Sequence, residues 1–205
     1  MLSHRMIAAA AASRGPQVLF NDDYEAANLS SYVGHTSVLS ISQATPEQGA
    51  NSLAVGGDAT NYVWGAYLNP KPYTAGLTWS GYMRFTDSGG SVRAGVFAGD
   101  PALSVNIASI GGYGFIFAVN SGYNSSLGTV SIYRLDDGTR LANASPAVSY
   151  NTWYAFSLTV KNGVVTLDLA GAHLTANDTT YTSFQAWGGY SYRNYMLDEI
   201  LVKAA

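Results

Sequence analysis

Apolar and β-branched residues recur along this chain in short runs rather than at helical spacing. The runs are 17–20, 37–42, 52–55, 62–68, 77–85, 92–98, 113–119, 129–135, 152–160, 164–169 and 195–203. Turn signals separate them: Gly56-Gly57-Asp58, Asn69-Pro70, Ser88-Gly89-Gly90, Asp136-Asp137-Gly138 and Asn162-Gly163. Eleven short strands so punctuated predict an all-β sandwich or barrel. Alternation assigns faces, because successive strand residues point oppositely. In 77–85, Leu77, Trp79, Gly81, Met83 and Phe85 share one face, and Thr78, Ser80, Tyr82 and Arg84 share the other. In 152–160, Tyr154, Phe156, Leu158 and Val160 form the apolar face. In 129–135 the assignment stays open, since Arg134 joins Val130 and Ile132. The two-residue Asn162-Gly163 turn predicts a hairpin over 152–169. Outside the first residues, only Asp22–Leu29 reads as helical, with Asp22 or Asp23 as its cap.

Residues 1–16, MLSHRMIAAAAASRGP, are set apart from this pattern. The apolar stretch Met6–Ala12 is short for a signal peptide. Alanine favours helix, and Gly15-Pro16 would stop one. The reading is an N-terminal arm, 1–16, that anchors to a neighbour, followed by a β-sandwich domain, 17–205. A signal peptide is the alternative.

Composition narrows the function. Charged residues are 11% of 205, the net charge is −3 and there is no cysteine, while Gly and Tyr number 22 and 15. Disulfide scaffolds and thiolate metal sites are excluded. The acidic balance argues against nucleic acid, and no apolar run is long enough for a membrane-spanning helix. The densest aromatic segment, Trp187 to Tyr195, reads as a Gly-containing loop before the last strand. Trp187, Tyr190, Tyr192 and Arg193 are therefore candidates for sugar stacking or an interface. Tyr82 and Arg84, on the non-core face of their strand, are further candidates. Trp64, between Tyr62 and Tyr67, reads as core.

FNDDYEAANLSSY (20–32), NTWYAFSLTVKNGVVTLDLAG (151–171) and YMLDEILVKA (195–204) together resemble the concanavalin A-like, laminin-G-like jelly-roll superfamily. The usual Asp before Gly171 is replaced by Ala170. The resemblance implies two antiparallel sheets forming a lectin-like jelly roll, one of them concave and often presenting a carbohydrate site. Related jelly rolls often hold a structural calcium where the termini meet. The acids at the two ends, Asp22, Asp23 and Asp198, are the candidate ligands. Asp198 falls in phase with Ile200 and Val202, so a buried carboxylate is expected there, held by a cation or, alternatively, by backbone or arginine hydrogen bonds, with Glu199 facing solvent.

Catalysis is argued against by missing motifs. The glucanases of the superfamily use an E-x-D-x-x-E strand, and this chain has only Glu25, Glu47 and Glu199, none so spaced. The lyase phrases Q-I-H and Y-F-K-A-G are missing as well. His4, His35 and His173 have no evident triad or zinc partners in sequence. The expectation is a non-catalytic protein, read first as a virion structural, capsid-decoration or tail-associated protein of a tailed bacteriophage. Its short basic-and-alanine start resembles those of phage structural proteins. Its partners would be other copies or neighbouring virion proteins through residues 1–16, with a glycan as possible ligand, at the virion surface. The alternative is a secreted bacterial carbohydrate-binding protein or a degenerate glycanase or polysaccharide lyase.

Overall fold

The computed structural model describes residues 15–57, 62–68, 71–86, 91–104, 106–119, 128–191 and 194–205. The arm 1–16 therefore lies almost wholly outside the described residues. The strands are β1 (Val18–Asp22), β2 (Tyr32–Gly34), β3 (Leu39–Ser42), β4 (Ser52–Val55), β5 (Trp64–Tyr67), β6 (Leu77–Phe85), β7 (Ser91–Phe97) and β8 (Gly112–Val119). They continue as β9 (Gly128–Arg134), β10 (Arg140–Ala144), β11 (Tyr154–Lys161), β12 (Val164–Leu169), β13 (Ala172–Asn177), β14 (Ala186–Ser191) and β15 (Tyr195–Ala204).

One sheet runs β13-β12-β11-β6-β15-β4-β3, with β1 also on β15, and the other runs β10-β9-β8-β7-β14-β5-β2. Every pairing is antiparallel. The all-β, two-sheet sandwich expected from the sequence is the observed fold. The first and last strands meet, β4 pairing with the start of β15 and β1 with its end.

The alternation of β6 is buried inward and half-buried outward along its whole length. Val160, Leu158 and Phe156 of β11 face Leu77, Trp79 and Gly81 in register. The hairpin closes through Asn162 and Gly163, at φ 53° and 74°, the left-handed pair that a two-residue turn needs. The core is aromatic. Trp187 packs on Trp79, Trp64 and Phe20 with ring centroids 5.3, 5.7 and 5.3 Å away. Trp64 lies in this core, as the sequence led one to expect.

Three expectations are corrected. Asp22–Leu29 forms no helix: Asp22 ends β1, and Tyr24 and Ala27 take left-handed φ values of 61° and 49°. The Asp22 and Asp23 side chains instead accept the backbone N–H two residues on, at 2.8 and 3.1 Å. Four strands went unread: β2, β10, β13 and β14. They are short or carry Ala, Asn and Gly, which weaken the apolar signal. Finally, β15 is bulged. Asp198 stands opposite Tyr82 but Leu201 opposite Ser80, with the extra residue absorbed near Glu199 at φ 51°. The bulge reverses the phase, so Asp198 shares the outer face with Tyr82 while Ile200 and Val202 point inward.

Candidate functional site

The segment expected as an aromatic loop is β14, an interior strand paired with β5 and β7. Pairing on both sides forces alternation, so Trp187 turns into the core and is 0% exposed. No ring face of Trp187 is left for a ligand, which corrects its candidacy. Tyr190 points out of the opposite face, yet it is buried in a second small cluster with Val63, Phe97, Ile107, Ile110, Leu135 and Ala186. Tyr192 and Arg193 lie outside the described residues.

Tyr82 and Arg84 lie on the outer face of the eight-stranded sheet. The Arg84 guanidinium donates to the Thr45 carbonyl at 3.3 Å, to the Thr45 hydroxyl, and to Asn151 Oδ1 at 3.2 Å. The Trp153 indole donates to the same carbonyl at 3.2 Å. Arg84 is thereby engaged in pinning the loop between β3 and β4. A groove of about 470 Å³ runs beside it, lined by Ser40, Ala54, Thr86 and Met196 among others. The structure does not bring Tyr82 and Arg84 together with Trp187 and Tyr190, which belong to the other sheet.

The acids at the two ends come near one another but do not fit a cation. Asp198 is 0% exposed. Its Oδ2 accepts the N–H groups of Glu47 and Gln48 at 2.8 and 3.3 Å, and its Oδ1 that of Glu199 at 2.9 Å. Burial raises its pKa, with these hydrogen bonds opposing. Asp22 gives its second oxygen to the Tyr32 hydroxyl at 2.9 Å, and burial raises its pKa too. Donor hydrogens point at these carboxylates from where a cation would have to bind. Among the described residues, no group of three or more His, Asp or Glu side chains is arranged to hold a metal ion. Glu199, expected in solvent, is half-buried; burial and the charges of Asp198, Asp23, Glu47 and Glu25 raise its pKa.

His173 also differs from expectation. It lies within β13, and its Nδ1 is 2.6 Å from Asp168 Oδ1 on β12. Both side chains are more than half exposed. An ion pair in open solvent on an edge strand contributes little, and the exposed Thr175 hydroxyl stands 3.5 Å from His173 Nε2, at the outer limit of a hydrogen bond.

The outer face of the seven-stranded sheet offers a better-built surface. Cross-strand register sets one row across five strands: Tyr190, Arg93, Ile116, Ser131 and Asn143. The next row reads Gly65, Gly188, Gly95, Gly114, Tyr133 and Arg140. Four adjacent strands thus present bare backbone. A side chain at Gly65 would press on Pro101, and one at Gly114 on Leu135. The segment after β7 roofs this bare strip. It is shaped by two 3-10 turns, at Pro101–Leu103 and Ile107–Ser109, which Asp100 and Asn106 cap at 2.8 Å each. Asp100 also takes the Tyr67 hydroxyl at 2.6 Å.

Beyond the roof the face is open in part, with Tyr190 and Ser131 still buried. Arg93 lays its guanidinium over the Tyr133 ring, 5.5 Å from the centroid. That distance is within cation–π range. Arg93, Ile116 and Tyr133 are half-buried, and Asn143 and Arg140 are exposed. The Ser131 hydroxyl is buried and has no hydrogen-bond partner. At the end of the sheet Asp178 braces the scaffold. It accepts from Arg134 at 2.6 Å, from Tyr113 at 2.5 Å and from the Thr180 N–H at 2.9 Å. Burial opposes its ionisation, but these hydrogen bonds prevail and hold its pKa below the usual carboxylate range. Burial and the bond to Asp178 push the Tyr113 hydroxyl up to about 12.

Sequence reasoning missed this face. The signal was the alternation within 91–97, which puts Val92, Ala94 and Val96 inward and Arg93 outward. Finding its neighbours needed strand pairings between β7, β8 and β9 that the sequence does not state.

No protein-family model matches the sequence, and no curated protein matches it. Solved structures do match its fold. A protein of unknown function with a galectin-like fold from Bacillus subtilis superposes with a TM-score of 0.63 at 12% identity, covering 93% of this chain and 97% of that one. A carbohydrate binding module from the same organism gives 0.58 at 10% identity, covering 86% and 98%. An alginate lyase of polysaccharide lyase family 7 gives 0.55 at 11% identity, covering 83% and 84%. At such identities the likeness is one of fold, and the fold is the lectin-like jelly roll.

Proposed function

We propose that this chain is a carbohydrate-binding sandwich that holds sugars on the outer face of its seven-stranded sheet. The observation that carries the reading is the Arg93–Tyr133 pair, half-buried on the outer face beside exposed Asn143 and Arg140. An aromatic ring offers a stacking face for the C–H side of a sugar, and nearby polar groups fix its orientation. Exposed Asn143 supplies such a group here, with Arg140 beside it on the same face. The roof over the glycine strip makes a wall along one side. Two of the fold neighbours point the same way, one titled a carbohydrate binding module and the other an alginate lyase.

The reading is non-catalytic. The strands of the seven-stranded sheet hold no Asp or Glu, so the paired carboxylates of retaining or inverting glycosidases have no counterpart on this face. The test is a panel of immobilised polysaccharides probed with the full chain, with Tyr133→Ala beside Tyr82→Ala. Retention is expected for the wild type and Tyr82→Ala and lost in Tyr133→Ala. Retention by all three would move the site elsewhere, and release of new chain ends from a retained polymer would make the protein an enzyme.

The finer reading places the sandwich on a virion, anchored through residues 1–16 to other copies or neighbouring virion proteins. It is supported by the segment MLSHRMIAAAAASRGP alone. Intact mass of the natural protein tests it, since removal of about a dozen N-terminal residues, the span of a short signal peptide, would turn the reading toward secretion.

A further inference from the structure

The seven-stranded sheet is the cationic part of an acidic chain. Its strands carry Arg93, Arg134 and Arg140 and no Asp, Glu or Lys. The chain as a whole has 13 acidic residues against 10 Lys and Arg. The acids of the eight-stranded sheet, by contrast, include Asp22, Asp168, Asp198 and Glu199. Arg134 is neutralised by Asp178 and Asp137, each at 2.6 Å. Among the described residues, neither Arg93 nor Arg140 is paired with a carboxylate. Both stand on the outer face: Arg140 is the register partner of Tyr133, whose ring lies beneath Arg93. Among the described residues, Tyr133 thus has one guanidinium over its ring and a second arginine without a carboxylate partner as its cross-strand neighbour.

That arrangement selects a chemical class. A guanidinium stacked on a ring keeps its N–H edge free in its own plane, and that edge matches a carboxylate with two parallel hydrogen bonds. A neutral sugar would use the ring and leave both charges unanswered. A uronate unit presents C–H groups for the part of Tyr133 that Arg93 leaves exposed and a carboxylate for Arg93 or Arg140. We infer that this face takes polysaccharides built from carboxylate-bearing sugars, an inference that rests on the carbohydrate reading above.

The experiment measures binding of the full chain to polygalacturonate, alginate and glucuronoxylan, each beside its methyl-esterified form, and to dextran sulfate. Esterification removes the charge and keeps the backbone. At least one polyuronate is expected to bind about ten- to a hundredfold more tightly than its ester, the range of a charge-assisted hydrogen-bonded pair. Arg93→Gln should abolish that preference, and Arg93→Lys should restore part of it. Arg140→Gln, at an exposed position, should reduce the preference in a protein whose melting is unchanged. Equal binding of acid and ester would overturn the uronate inference and leave the carbohydrate reading standing. Dextran sulfate bound as tightly as any polyuronate would overturn it in favour of general polyanion attraction. Binding to no polymer of the series and to no neutral glycan would overturn both.

Discussion

The Asp198 carboxylate accepts the backbone N–H of Glu47 at 2.8 Å, although 151 positions separate them. The contact ties the last strand to the loop between β3 and β4. The same loop is held at Thr45 by Arg84 and Trp153, and at Ala50 and Asn51 by Glu25, which accepts at 2.8 and 2.9 Å. A loop with its own amides turned to a buried carboxylate covers the outer face of β15 and explains how a charge stays inside.

Asp198→Ala leaves three N–H groups without their acceptor. The expected cost is about 1–3 kcal/mol per buried donor left unsatisfied, less whatever water recovers. Denaturant unfolding should show the loss, and amide exchange at Glu47 and Gln48 should accelerate before global unfolding does. Unchanged exchange at those two amides would mean that Arg84 and Glu25 hold the loop without Asp198.

Trp187 and Tyr133 should separate stability from binding. Trp187 is enclosed by Trp79, Trp64 and Phe20, so Trp187→Ala should cost about 3–5 kcal/mol, the usual range for emptying a large aromatic site. Tyr133 is half-exposed on the outer face, and Tyr133→Ala should stay within about 1 kcal/mol of wild type while losing retention on sugar. Thermal melting of the two variants checks this. A Trp187→Ala protein that melts like wild type would contradict the packing described here.

Much of the fold was legible because alternation is local. β4, β6 and β12 begin and end where the apolar runs do, and the Asn162-Gly163 turn announced its hairpin. What was not legible depended on pairing. Two glycines made β14 read as a loop, although pairing with β5 and β7 makes it an interior strand and buries Trp187. One bulged residue at Glu199 was enough to place Asp198 on the wrong face. The face proposed here was not legible for the same reason: Arg93, Ile116, Ser131 and Tyr133 are neighbours only through register across β7, β8 and β9. Tyr82 and Arg84 were correctly read as outward-facing, but the partner that occupies Arg84, Thr45, is 39 positions away.

Acid should weaken the sheet end that Asp178 braces. Its folded pKa lies below its unfolded value of about 3.9, so its contribution is full above that value and fades as pH falls through the folded one. Asp178→Asn keeps the shape and removes the titration. The gap in melting temperature between wild type and variant should be widest near neutrality and narrow below about pH 4. Asp22, Asp198 and Glu199 have raised values and act in the opposite sense, gaining on protonation, but they are common to both proteins and cancel in the difference. A gap independent of pH would show that Asp178 acts through shape rather than charge.

The glycine strip makes the last prediction, because it separates crowding from backbone conformation. Gly95 lies between Gly188 and Gly114 in register, and a Cβ there would strike the Tyr113 carbonyl and the Gly114 Cα. Both obstacles are backbone of a paired strand and cannot rotate away. Gly138 is the converse case: its φ is +68°, and a Cβ would meet nothing within 4 Å. Gly138→Ala should cost about 1–2 kcal/mol, the penalty of a left-handed L-residue. Gly95→Ala should cost more, at or beyond the roughly 1–3 kcal/mol of overpacking, since β7 must part from β8 to admit the methyl group. That separation would also tilt Arg93, two residues along the strand, off Tyr133. Gly95→Ala should therefore weaken sugar retention as well as stability, while Gly138→Ala should touch stability alone. Equal losses of stability in the two variants, with retention intact in both, would show that the sheet yields at Gly95 and that the bare strip is not needed to seat Arg93 on Tyr133.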